Sequence, residues 1–183
     1  MKNINLEEVY ALLDRYVKLN FLVRILTSHS SKTAEEFNSS VFDIDFKMLG
    51  LSEEAVLDLG ISPNISQLKK HSKEILLLAE QASTLIFGYI IELSNDDKIA
   101  VKEYVDGMVG TYLTKIGECQ DRYLGLVVEI DKSTKEEDSK KTRALGKMAK
   151  ASFNKLYEYN TICQNYSNIS SYLRGMIKHR GLQ

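Results

Sequence analysis

The chain has 183 residues, with 24 Lys and Arg against 25 Asp and Glu, three His, two Cys, one Pro and no Trp. Its 44% hydrophobic and 27% charged residues exclude a disordered or fibrous chain, and the length suits one domain with a sizeable core. Two cysteines cannot build a disulfide framework, and the formal net charge of −1 argues against non-specific binding to nucleic acid.

In chain order the punctuation is helical. Asn5 with Glu8 reads as a capping box that opens a helix to about Ser28, with Val9, Leu12, Leu13, Tyr16, Leu19, Val23 and Leu26 at helical spacing. Residues 29–40 are rich in Ser, Thr and Asn and read as a loop. The stretch Val41 to Phe46 is the nearest candidate for a strand and is too short to count. Ser52 with Glu53 and Glu54 starts a short helix that Gly60 ends. Ser62 then caps a helix with Pro63 in its first turn, running to about Leu93. Asn95, Asp96 and Asp97 open another to about Ile130, and Thr134 with Glu137 forms a second capping box before a helix to about Lys178.

The three long segments share alternating steps of four and three between apolar or small residues, the period of a packed seam. The first seam is Leu68, Ser72, Ile75, Ala79, Ala82, Ile86, Tyr89 and Leu93. The second is Val105, Val109, Tyr112, Ile116, Cys119, Tyr123, Leu126 and Ile130. The third runs Leu145, Ala149, Ser152, Leu156, Tyr159, Cys163, Tyr166, Ser170, Leu173 and Ile177. Further apolar residues (Leu76, Leu77, Phe87, Met108, Leu113, Leu124, Val127 and Met148) widen the seams enough for three or four helices. The expectation is an all-α, elongated antiparallel helical bundle, a coiled-coil-like hairpin of long helices with a shorter N-terminal helical part. It forms a single helical domain over 1–183: N-terminal helix, loop and short helix over 1–61, and three long antiparallel helices over 62–183.

The N-terminal stretch does not read as a signal peptide. The opening MKNINLEEVY puts Glu7 and Glu8 where a signal peptide has its apolar core. The apolar stretch Ile75 to Leu93 is interrupted by Glu80, Gln81, Ser83, Thr84 and Glu92, so it reads as a core helix with no membrane insertion. A cytoplasmic protein with reduced thiols is the expectation.

Gly107, Gly110, Gly117 and Gly125 fall in one predicted helix, where each exposed glycine costs about 1 kcal/mol against alanine. Gly110 and Gly117 lie seven apart beside the seam, and with Tyr112, Tyr123, Tyr159 and Tyr166 they predict a helix-packing groove in which tyrosines fill the space beside glycine. Cys119 and Cys163 sit on seams, where a free thiol acts as a small apolar residue. His71, in QLKKHSKEILLL, reads as solvated helix surface. No Glu-x-x-His pair, His-Glu-x-x-His run or phosphate-cradling glycine loop is present, so neither metal nor cofactor is expected. The segment LDLGISPNISQLKKH resembles the second half of a helix-turn-helix, but Ile65 falls one residue early, Pro63 stands in the turn, and the helix that follows is predicted to be far too long.

Arg174 and His179, in RGMIKH, form an Arg-x4-His pair. That spacing resembles the active-site motif of the HEPN family, all-helical bundles that often dimerise and include ribonucleases. The resemblance implies that His179 moves a proton of a ribose hydroxyl while Arg174 holds the phosphate. The residue after the arginine, usually polar in that family, is Gly175 here.

The charge is divided along the chain: residues 1–138 carry 15 basic and 24 acidic side chains, and residues 139–183 carry nine basic ones and a single acid, Glu158. Lys140, Arg143, Lys147 and Lys150 share one helix face. Such a stripe either pairs with the acidic helix beside it or meets an anionic partner, protein ahead of nucleic acid. Sustained seams without a catalytic cluster indicate a non-catalytic protein–protein interaction module, expected as a homodimer. Adaptors, inhibitors, chaperones and immunity-type proteins of bacteria or phages all fit, with the HEPN-like ribonuclease and a nucleic-acid-binding helix as alternatives.

Overall fold

The computed structural model describes residues 5–27, 44–60 and 63–178. Six helices account for most of them: α1 (Leu6–Thr27), α2 (Glu53–Leu59), α3 (Ile65–Lys70), α4 (Ser72–Glu92), α5 (Asn95–Lys135) and α6 (Ser139–Lys178). A 3₁₀ turn, Phe46–Leu49, precedes α2, and no strand occurs among the described residues. The protein is an all-α helical hairpin bundle. Its spine is the antiparallel pair of α5 and α6, each of 40 residues or more and so about 60 Å long.

The ends of the elements are set by local chemistry. The Asn5 side chain accepts the amide of Glu7 at 3.1 Å to open α1. Ser52 accepts the amide of Ala55 to open α2, as expected, and Gly60 closes it at φ +57°. The next helix differs from its prediction. Its cap is Asn64, in a reciprocal capping box with Gln67, and Pro63 stands before the helix rather than in its first turn; Ser62 lies outside the described residues. One residue, His71, interrupts the predicted continuous helix and separates the six residues of α3 from α4. Ser94, not Asn95, caps α5 by accepting the amide of Asp97 at 3.1 Å. At the far end α5 continues through Thr134 to Lys135, so the predicted Thr134–Glu137 capping box does not form. Glu137 takes a left-handed conformation at φ +57°, and Asp138 caps α6 by accepting the amide of Lys141. Inside this turn the buried Ser133 hydroxyl bonds the Thr142 hydroxyl at 2.8 Å.

Every described seam residue is buried or half-buried. The partners of the seams are less uniform than the pattern implies. The α5 and α6 seams close on each other along the hairpin, with Ser170 donating to Asp106 at one end and Tyr123 packed on Phe153 toward the other. The α4 seam instead packs on α1, where Tyr16 meets Phe87 edge-to-face at 5.8 Å. α4 also meets α6 directly, where Phe87 packs edge-to-face on Tyr172 at 5.3 Å, and α1 packs against all three long helices of the 62–183 region.

The carboxylate of Asp14 ties α1 to both spine helices, accepting the Tyr104 hydroxyl at 2.7 Å and the Tyr166 hydroxyl at 2.5 Å. Tyr10 stacks on Tyr104, and Phe21 and Arg24 reach Tyr157 and Gln164 on α6. Gly50 turns the chain at φ +76°, a left-handed conformation that disfavours any residue with a Cβ, and the Arg15 guanidinium lies against it. The main core gathers α1, the 3₁₀ turn, α2, α3, α4 and the lower halves of α5 and α6.

Candidate docking surface on the helical arm

Over residues 119–153 the apolar contacts run between α5 and α6 alone. A small separate core of Leu126, Leu145 and Ala149, edged by Tyr123 and Ile130, holds this arm together. Its α5 half alone spans about 25 Å. The arm leaves large apolar side chains in solvent: Leu124 is 59% exposed, Val128 69% and Phe153 49%, with Leu113 at its root and Val127 and Met148 also exposed. Leu113, Leu124, Val127 and Met148 are among the residues that the sequence offers for a wider bundle. Phe87 and Met108, at the base, do pack on the main core, whereas the arm positions meet no third helix among the described residues.

The heptad register locates them. Counting outward from the α5 seam, Gly110, Leu113, Gly117, Gln120, Leu124 and Val127 form a second stripe with alternating steps of three and four on one flank of α5. The matching flank of α6 carries Arg143, Gly146, Lys150 and Phe153. Between the two flanks runs a groove lined by Tyr123, Val127, Ile130, Gly146, Ala149, Lys150, Phe153 and Asn154. At the base, α1 packs on the same helix pair, touching Tyr104, Tyr157, Asn165 and Tyr166.

The glycines do not serve the close approach that the sequence suggested. At Gly107, Gly110, Gly117, Gly125 and Gly146 an added Cβ would meet nothing within 4 Å among the described residues, so none of the described helices presses against them. The tyrosines do gather, away from the glycines: Tyr112 lies 5.8 Å from Tyr159 and 5.9 Å from Tyr166, and the Lys115 ammonium stands over the rings of Tyr112 and Tyr159. Tyr123 is separate, packed on Phe153 in the arm.

Lys140, Arg143, Lys147 and Lys150 all lie exposed on the outer face of the α6 half of the arm. Among the described residues none of the four forms a salt bridge, and no ion pair joins them to acids of α5. Of the arm's acids, Asp131 pairs within its own helix, with Lys135 at 2.6 Å. The expected pairing of the basic helix with the acidic one beside it is thus not made directly. The cations border the apolar groove on its α6 side.

Burial pushes the thiols of Cys119 and Cys163 up from their ordinary value, the direction opposite to activation, and the Cys163 thiol points at the Val109 carbonyl. His71 is not solvated as expected: its ring nitrogen lies 2.8 Å from Asp58, which Lys70 also pairs, and this holds the break between α3 and α4. Arg174 is exposed near the end of α6, and His179 lies outside the described residues. Among the described residues no three His, Cys, Asp or Glu side chains converge to hold a metal.

A second exposed apolar face belongs to α4. One side of it, with Ile75, Ala79, Ala82, Ile86 and Ile90, is buried, while Leu77, Leu85 and Ile91 remain more than half or half exposed. By length and composition this helix is apolar enough to cross a membrane, and it packs on α1 as one face of the body. No family model, curated protein or solved structure matches the chain.

Proposed function

We propose that the protein is a non-catalytic, cytoplasmic helical interaction module whose arm is the surface that meets its partner protein. The observation that carries this reading is the arm itself. Its sequence has the apolar width of a three- or four-helix bundle, yet the described chain supplies two helices there and leaves Leu124, Val127, Val128 and Phe153 in water. Exposed contiguous apolar surface of this kind marks interaction sites in soluble proteins. The same reading takes the protein as a homodimer, supported by the other exposed apolar face, Leu77, Leu85 and Ile91 of α4.

Two experiments test it. A photo-crosslinking residue at Val128, incubated in extract of the native host, is expected to give a discrete protein adduct, and the same residue at Glu54 on α2 is expected to give none. Adducts from Glu54 alone would move the interaction to the body and refute the arm. For the dimer, sedimentation is expected to show two chains, reduced to one by Leu85→Glu; a monomeric wild type contradicts it.

A further inference from the structure

We infer that the arm groove takes an acidic amphipathic helix of a partner protein, laid along α5 and α6 as a third strand of the coil. This names the partner chemistry of the docking surface proposed above and rests on that reading. Three observations meet at this groove. Its floor is apolar and open, with Tyr123, Val127, Ile130, Ala149 and Phe153 lining it. Gly146 on its α6 wall has space where a Cβ would stand, so a partner backbone can come close there. The α6 rim carries Arg143, Lys147 and Lys150, exposed and without an acid of this chain in salt-bridge range among the described residues.

A third helix on this pair is already realised in the molecule, since α1 packs against α5 and α6 lower on the hairpin. A helix-in-groove partner is read at positions i, i+3, i+4 and i+7, which fits the length of the arm. Charge selects among such helices. An apolar stripe flanked by Glu or Asp on the side facing α6 neutralises the rim, while a Lys-flanked helix is repelled by it. The α6 half of a second copy's arm is a poor occupant, because it brings six more cations between Lys140 and Lys155 and no acid.

The test uses the full chain and two fluorescein-labelled synthetic helices of about 21 residues, three heptads with Leu at the inward positions. One carries Glu at the flanking positions and the other Lys. Fluorescence anisotropy is expected to show saturable binding of the Glu-flanked helix, weakening as salt rises, and no binding of the Lys-flanked one. Phe153→Ser, and separately Arg143→Glu with Lys147→Glu and Lys150→Glu, are each expected to weaken it about tenfold or more. All four positions are exposed, so helicity by circular dichroism is expected to hold; the charge variants keep the test valid if Phe153→Ser does not.

Equal binding of both helices, no binding of either, or indifference to the charge changes overturns the proposal. So does retention of a DNA duplex by the same cations in preference to the Glu-flanked helix, which would assign the stripe to phosphate. A dimer that Phe153→Ser dissociates would assign the groove to a second copy. A crosslinked adduct at Val128 together with failure of the Glu-flanked helix would leave the arm as a docking surface and remove only its acidic partner.

Discussion

At the residue scale the body is pinned by one carboxylate. Asp14 accepts from Tyr104 and Tyr166, and its loss strands two phenols, Tyr166 fully buried and Tyr104 half-buried. Asp14→Ala is expected to cost about 3 kcal/mol in urea unfolding, more than Tyr104→Phe, which removes one bond and leaves Asp14 its other partner. Burial first, and the Asp14 carboxylate after it, push both phenols well above the ordinary tyrosine value. The neutral phenol is the folded form, so this stabilisation is complete below pH of about 10 and is lost as pH rises above it. Replacing both tyrosines by Phe is expected to flatten the alkaline fall in stability, measured as the urea midpoint against pH. The seam position of Tyr166 is legible in the sequence, but Tyr104 and Asp14 are not: a single acid on an apolar face carries no periodic signal, and its partners lie 90 and 152 residues away. The glycines show a different failure. Their spacing suggested packing, and the structure leaves Gly125 in open space within a helix. Gly125→Ala is therefore expected to stabilise the protein by about 1 kcal/mol.

At the scale of elements the periodic signal is strong and the partner assignment is weak. Heptad spacing identifies which face of α4, α5 and α6 turns inward, because burial of one stripe is a local property of the helix. It does not say what lies against the stripe, which is why α4 could be read as a third spine helix although it packs on α1. Helix ends were misread where two caps compete: Asn64 and Ser94 each lie within two residues of the residue chosen from sequence. The interruption at His71 was hidden because its cause is tertiary, the contact with Asp58 on α2. The His71 hydrogen bond first and Lys70 second hold the Asp58 carboxyl below the usual carboxylate range. Its contribution is present above pH of about 4 and is lost as pH falls below it, so Asp58→Asn is expected to reduce the acid sensitivity of α3, followed by amide exchange at successive pH values. The arm and the base also differ in what holds them. Three buried residues secure the arm and thirty the main cluster, so amides of residues 119–153 are expected to exchange faster than those of 98–112 and 157–173. Equal protection over both regions would contradict the division.

For the whole molecule, the near-zero net charge conceals a basic arm helix on an otherwise acidic chain. That division is legible from composition, and so is the all-α class. The groove between the arm helices is not, because the sequence cannot say that, among the described residues, the upper seam flanks have no neighbour. The account's central claim is that this uncovered flank is where the partner binds. Crosslinking from Val128 in host extract, carried out on the wild-type chain and on Phe153→Ser, tests it most directly. The account predicts a single adduct from the wild-type chain, lost in the variant while the thermal midpoint is unchanged. An adduct of the same size and yield in both would contradict it.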